Sequence, residues 1–71
     1  MDVSEKIRVL LARRHMTVTK LAEEMGISRQ YITKKLKNED FTYIELHGIA
    51  AILGCDFEVT FIDKKNGSER I

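Results

Sequence analysis

The segment EEMGISRQYITKKLK, residues 23–37, contains the features that decide the fold of this chain. Gly26 is the residue type that most readily takes the left-handed conformation that ends a helix, and Ser28 is a preferred N-cap for a new one. Ile32 and Leu36 have the four-residue spacing of the inner face of a helix. The segment therefore predicts two short helices joined by a tight turn at Gly26, the second spanning about residues 29–37.

Apolar periodicity and capping residues predict two further helices, one on each side of this pair. The first spans about Val3 to Arg14, with Asp2 as its N-cap. The last spans about Tyr43 to Leu53 and begins with Thr42 and Glu45 at capping-box spacing. Its buried face is expected to contain Ile44 or Leu46, together with Ile49, Ala50, Ile52 and Leu53.

After Gly54 the pattern of apolar residues changes from helical to alternating, in the segment CDFEVTFID. Alternation is typical of a strand, which we expect over residues 57–62. Asn66-Gly67 favours a turn, after which SERI can return as a short second strand. The sequence thus predicts a mostly α fold, with four helices in a domain of residues 1–54 and a C-terminal β-strand or hairpin in residues 55–71.

Length and composition limit the classes of protein to which the chain can belong. Its 71 residues suffice for one small domain, and Cys55 is the only cysteine, so an internal disulfide and a multi-cysteine zinc site are excluded. The first 15 residues lack the basic region and the apolar run of a signal peptide or a membrane span, and a lone thiol suits a reducing compartment. We therefore expect a cytoplasmic protein.

Charge is distributed unevenly along the chain. Residues 1–40 contain nine basic and six acidic side chains, whereas residues 41–71 contain three basic and five acidic ones. Between Gly26 and Asn38 there are four basic side chains and no acidic one. This distribution predicts a basic surface on the second helix of the central pair.

Two short helices joined by a tight turn form a helix-turn-helix, whose second helix enters the major groove of DNA. Ala22 is small enough to stand where the two helices cross, and Ile27 and Ile32 are the apolar residues expected to fill the inside of the pair. The segments KLAEEMGISRQYITKKL and IAAILG resemble the phage-repressor and Cro-like helix-turn-helix domains of the xenobiotic-response-element type, over about residues 3–54. The tail is similar to that of short prophage-type or mobile-element regulators that end in an LGC-x-x-E-V-x-F strand.

This resemblance implies a lambda-repressor-like four-helix domain and a sequence-specific transcriptional regulator that binds double-stranded DNA, acting as a repressor. The family's recognition positions correspond to the start of the second helix of the pair, where Arg29 can pair with guanine and Gln30 with adenine. The expected base contacts are Arg29, Gln30, Thr33 and Lys34. The expected phosphate contacts are Thr17, Ser28, Tyr31, Lys35 and Lys37.

The predicted ribbon needs a partner, because an isolated hairpin is marginally stable and leaves an open edge. It can fold onto the helices of its own chain, or it can pair with a second copy through Phe57, Val59 and Phe61. We favour the second option, because a repressor-type domain reads a pseudo-palindromic operator as a dimer.

Other classes of function have weaker support in the sequence. His15 and His47 have no further ligands at metal-binding spacing, and no nucleophile has a base and an orienting partner, so we expect no metal, no cofactor and no enzymatic activity. No small-molecule ligand is expected either. The alternative to a DNA-binding regulator is a protein-interaction or antitoxin-like module that uses the C-terminal ribbon.

Overall fold

The computed structural model describes all 71 residues and contains four helices followed by a small hairpin. The elements, in chain order, are α1 (Val3–Arg13), α2 (Val18–Met25), α3 (Arg29–Asn38), α4 (Tyr43–Ile52), β1 (Ile62–Asp63) and β2 (Glu69–Arg70). A single 3-10 turn, Lys64–Asn66, joins the two strands, which pair antiparallel. The prediction of a mostly α fold with a C-terminal hairpin is confirmed.

Each of the four helices begins at a residue whose side chain accepts a hydrogen bond from the backbone three positions later. These N-caps are Asp2, Thr17, Ser28 and Thr42. At α4 the cap is reciprocal, because the Glu45 carboxylate also accepts the Thr42 N–H, over 2.8 Å. A cap of this kind stabilises a helix by about 1 kcal/mol, so the short helices start where the sequence predicts.

The core lies where α2 and α3 meet α1 and α4. Leu21 and Ile32 are completely buried, and Ala22 lies beside them at the close approach of α2 and α3. Of the two candidates on α4, Leu46 packs against the core, whereas Ile44 is 82% exposed. The remaining members of the core cluster are Ile7, Leu11, Leu36, Ile49 and Leu53.

Polar contacts with α1 fix the C-terminal end of α3. The Ser4 hydroxyl donates to the Leu36 carbonyl, and the Ser4 N–H donates to the Glu39 carboxylate over 3.1 Å. Glu39 itself has a left-handed backbone that ends α3. At the other end of α1, the Arg14 guanidinium donates to the Leu53 carbonyl over 2.9 Å and so joins α1 to α4.

The strand predicted over residues 57–62 is much shorter in the structure, and this part of the prediction was wrong. The hairpin ladder contains only the pairs Phe61–Ile71, Ile62–Arg70 and Asp63–Glu69. The return strand, residues 69–71, pairs only with residues 61–63. Residues 56–60 therefore form no backbone hydrogen bond within the chain. The turn is where the sequence predicts it, with Gly67 in the left-handed conformation.

The C-terminal segment extends the molecule well beyond its helical part. The radius of gyration is 14.1 Å and the principal extents are 43 × 22 × 20 Å, whereas a compact chain of this length has a radius of gyration of about 11 Å. We call residues 1–54 the helical body and residues 55–71 the C-terminal arm. None of the helices has both the length and the apolar character needed to cross a membrane.

Candidate nucleic-acid interface

The turn between α2 and α3 has the geometry that the sequence predicts. Gly26 has φ +69° and ψ +31°, a left-handed conformation, and the next residue, Ile27, donates its N–H to the Ala22 carbonyl over 3.0 Å. The Ile27 side chain packs against the core. Ser28 then accepts the Tyr31 N–H at 3.0 Å and starts α3. Because both ends of this turn are fixed, α3 has a defined orientation against α2.

The outward face of α3 brings all four predicted base-contacting residues together with one predicted phosphate contact. A shallow surface depression on this face is lined by Arg29, Gln30, Thr33, Lys34 and Lys37, and by no other residue. All five are exposed. The two salt bridges of the chain, Lys20–Glu24 and Lys35–Glu45, involve none of these residues. The face therefore presents three cationic side chains that no acidic side chain neutralises.

Tyr31 and Lys35, which were also predicted to contact phosphate, lie on the flank of α3 that faces α4. The Tyr31 hydroxyl donates to Glu45 Oε2 over 2.8 Å, and Lys35 Nζ lies 3.4 Å from Glu45 Oε1. Lys35 Nζ also donates to the Asp40 carbonyl over 3.1 Å and lies 5.4 Å from the centre of the Tyr31 ring. Both side chains therefore have partners within the chain.

The sequence did not predict that Glu45 contacts Tyr31 and Lys35. Its spacing from Thr42 indicated only a helix cap. The hydrogen bond from the Thr42 backbone, then that from Tyr31, together with the Thr42 hydroxyl and the Lys35 cation, lowers the pKa of Glu45 from 4.5 to about 2. Burial alone would lower the pKa of Lys35, but the attraction of Asp40 and Glu45 outweighs it and raises that pKa. The only sign of this contact in the sequence is that Tyr31 and Lys35 lie one helical turn apart and so on the same side of α3. That spacing does not identify Glu45 as the residue they contact.

Two predicted phosphate contacts, Thr17 and Ser28, are the N-caps of α2 and α3. The Thr17 hydroxyl oxygen accepts the Lys20 N–H over 3.0 Å, so its own proton remains available to an external acceptor. Both residues are exposed. The N-terminal ends of two consecutive helices thus each carry a hydroxyl donor beside the backbone N–H groups that favour an anion there.

The three predicted dimerisation residues lie in two different environments. Phe57 is partly buried against α4 of its own chain, with ring centres 5.6 Å from Tyr43 and 5.2 Å from His47. Val59 and Phe61 are 51% and 73% exposed. Phe57 thus packs on the helices of its own chain, as in the first alternative for the ribbon, whereas Val59 and Phe61 do not.

A comparison with protein families finds a match to the Cro/C1-type helix-turn-helix DNA-binding domain over residues 6–58. Neither the curated proteins nor the solved structures gave a match to this chain. The matched region contains most of α1, all of α2 to α4 and the start of the arm, and therefore the whole face of α3 described above. The chain belongs to the family of Cro/C1-type helix-turn-helix DNA-binding domains.

Proposed function

We propose that the protein is a sequence-specific transcriptional regulator, a repressor that binds a pseudo-palindromic operator as a dimer and blocks access of polymerase to it. The observation that carries this proposal is the exposed, acid-free face of α3, on which Arg29, Gln30, Thr33, Lys34 and Lys37 line one depression. A helix held by its first turn and by its C-terminal end can enter the major groove as a rigid body.

The residues at the start of α3 would read the bases. Arg29 has the planar fork of donors that fits guanine O6 and N7, and Gln30 can pair with adenine N6 and N7. Thr33 and Lys34 lie one turn further along the same face. Each good bidentate pair contributes roughly 1–3 kcal/mol of discrimination between bases.

Residues around this face would bind the DNA backbone. Lys37 carries an unpaired positive charge at the edge of the depression, and the Thr17 and Ser28 hydroxyls stand at helix N-termini. Such contacts increase affinity and salt dependence without selecting sequence. Because the target is DNA and the single cysteine is a free thiol, we place the protein in the cytoplasm.

The unpaired backbone of residues 56–60 supports dimerisation through the arm. Phe61 exchanges two hydrogen bonds with Ile71, so the N–H and C=O groups of Thr60 and Glu58 would point to the opposite, open edge of an extended strand. A second copy of the same segment can pair there in antiparallel orientation. The contact would be isologous, which is what a two-fold operator requires.

Side-chain chemistry selects one register for that pairing. With Val59 on the two-fold axis, Phe57 of one chain lies opposite Phe61 of the other, and Glu58 lies opposite Thr60. Moving the two-fold axis to Glu58 would place the two Glu58 carboxylates opposite each other. Moving it to a point between residues 58 and 59 would place apolar residues opposite polar ones. The favoured register also leaves Phe57 on its own α4, where the structure has it.

Disulfide trapping tests the dimer and its register together. In a Cys55→Ser background, Val59→Cys should give a disulfide-linked dimer on mild oxidation, because facing non-hydrogen-bonded residues have Cα atoms about 4.5 Å apart. Thr60→Cys is the matched control, since in this register residue 60 faces residue 58. Monomers from Val59→Cys, or equal crosslinking of both variants, would contradict the proposed pairing.

The test of DNA recognition is a selection from random duplexes with the purified protein, repeated with Arg29→Ala. We expect an enriched, two-fold related sequence, and loss of the preference at one base position per half-site in the variant, with affinity for the selected duplex lowered by about 1–3 kcal/mol. Equal loss of affinity on random and on selected DNA would show that Arg29 does not read a base.

One observation favours a second candidate function. The arm exposes Val59, Phe61, Ile62 and Ile71 by half or more, a set of apolar side chains that a different protein could cover as well as a second copy. In an antitoxin-like module of this kind, Phe61→Ser would abolish binding to that protein, whereas Arg29→Ala would not. An enriched DNA sequence from the selection argues for the regulator.

A further inference from the structure

Glu45 joins the recognition helix to the start of α4 through both of its carboxylate oxygens. Oε1 accepts the Thr42 N–H and faces the Lys35 ammonium, and Oε2 accepts the Tyr31 hydroxyl. We call these three side chains, Tyr31, Lys35 and Glu45, the α3–α4 clamp. The Lys35 and Glu45 side chains are only 18% and 19% exposed, so water screens this ion pair less than it screens a surface pair.

The clamp divides the cations of α3 into two groups. Arg29, Lys34 and Lys37 are exposed on the outward face and form no salt bridge. Lys35 is half-buried on the flank, and its ammonium is held by the Glu45 carboxylate and the Asp40 carbonyl. A phosphate that bound Lys35 would have to displace a carboxylate from a preformed pair, whereas Lys34 and Lys37 have nothing to release.

We propose that Glu45 is a positioning residue that retains Lys35 and Tyr31 within the protein, so that the flank of α3 next to α4 does not bind phosphate. This inference rests on the proposed DNA-binding function. It replaces the expectation, drawn from sequence, that both residues contact the backbone. Phosphate contacts add affinity for every sequence, so withholding one cation lowers the overall affinity and its salt dependence and leaves the choice of sequence to the base contacts.

The salt dependence of DNA binding separates this role from a merely structural one. Each phosphate neutralised contributes about 0.9 to the slope of log affinity against log salt concentration. Lys35→Ala should therefore leave the slope unchanged, whereas the control Lys37→Ala, which removes a proposed phosphate contact, should reduce it by about 0.9 per protomer. A reduction with Lys35→Ala equal to that of the control would overturn the proposal.

Glu45→Gln removes the charge and keeps a side chain that is compatible with the capping box. It should free Lys35 and steepen the slope by about 0.9 per protomer. The double variant Glu45→Gln with Lys35→Ala should return the slope to that of the parent protein. A Glu45→Gln slope equal to the parent slope, or a steeper slope that persists in the double variant, would contradict the clamp.

A second measurement needs no DNA and so remains decisive if the protein proves not to bind it. Brief acylation of the folded protein, read out by mass spectrometry for each lysine, should modify Lys35 at least several-fold more slowly than the exposed Lys34. In Glu45→Gln the two rates should become similar. Equal rates in the parent protein would overturn the clamp, whereas the absence of salt-dependent DNA binding would overturn the proposed function alone.

Discussion

The helical body and the C-terminal arm differ in where their apolar side chains lie. All ten buried residues of the chain belong to the body. In the arm, the apolar residues Val59, Phe61, Ile62 and Ile71 are between 51% and 73% exposed. The fully buried core thus lies within the body, while the outer part of the arm exposes apolar side chains and an unpaired stretch of backbone.

This difference shows how a chain of this size can divide folding from association. Four capped helices bury their apolar faces on one another, and of the arm only its first residues, Cys55 and Phe57, add contacts to the body. A ladder of three residue pairs such as that of β1 and β2 is marginally stable alone, so the order of the arm would increase if a third strand were added to its edge. Substitutions in the body should change stability, and substitutions in the arm should change assembly.

The largest effect is expected for Leu21→Ala. Leu21 is fully buried between helices, and removing its side chain leaves a cavity that should lower the free energy of unfolding by about 2–5 kcal/mol. Phe61→Ala, the control in the arm, should change it by less than about 0.5 kcal/mol at a dilution where the protein is monomeric. Urea unfolding measures both. A Phe61 variant as unstable as the Leu21 variant would mean that the arm is part of the core.

A smaller effect is expected at the turn between α2 and α3. Gly26→Ala places a side chain at φ +69°, which costs about 1–2 kcal/mol, although the added Cβ would meet no atom within 4 Å. Gly67→Ala is a close match, with φ +65° and equally open surroundings, but it lies in the arm. Thermal unfolding should therefore show a lower midpoint for the first variant alone. Equal shifts in both would show that the hairpin unfolds together with the body.

The smallest effect is a pH dependence. The folded-state pKa of Glu45 is about 2 and its ordinary value is 4.5, so its stabilising contribution is complete above about pH 4.5 and is lost as the pH falls towards 2. In Glu45→Gln, unfolding free energy should be lower by about 1 kcal/mol at neutral pH and should fall less steeply in acid. Glu58→Gln, in the arm, should leave the acid profile unchanged. Parallel profiles for the Glu45 variant and the parent would contradict this role of the carboxylate.

Local signals were sufficient for the helical body. Thr17, Ser28 and Thr42 are N-caps because their side chains bond to backbone only three residues away, and Gly26 ends α2 because of its own backbone freedom. The outward face of α3 followed from the same logic, since the positions of Ile32 and Leu36 determine which side of the helix is left for Arg29 and its neighbours. Helix ends differed from prediction by only a residue.

The predictions that failed or stayed open concern contacts between distant residues. Periodicity could not distinguish Ile44 from Leu46 as the buried residue of α4, because either fits a helical face. The alternation in residues 57–62 predicted a strand, but it could not state whether a partner strand was available, and in the structure only the end of this segment is paired. The acceptor of Tyr31 and Lys35 lies 10 to 14 positions away in sequence, beyond any helical repeat.

The sequence by itself determined the number of helices, their starting points and the cationic, acid-free surface of α3, because capping, glycine conformation and apolar spacing act within one or two turns of chain. Only the tertiary structure decided which of the α3 cations remain free. The packing of α4 against α3 brings Glu45 to Lys35 and leaves Arg29, Lys34 and Lys37 unpaired, because ion pairing depends on distance in space.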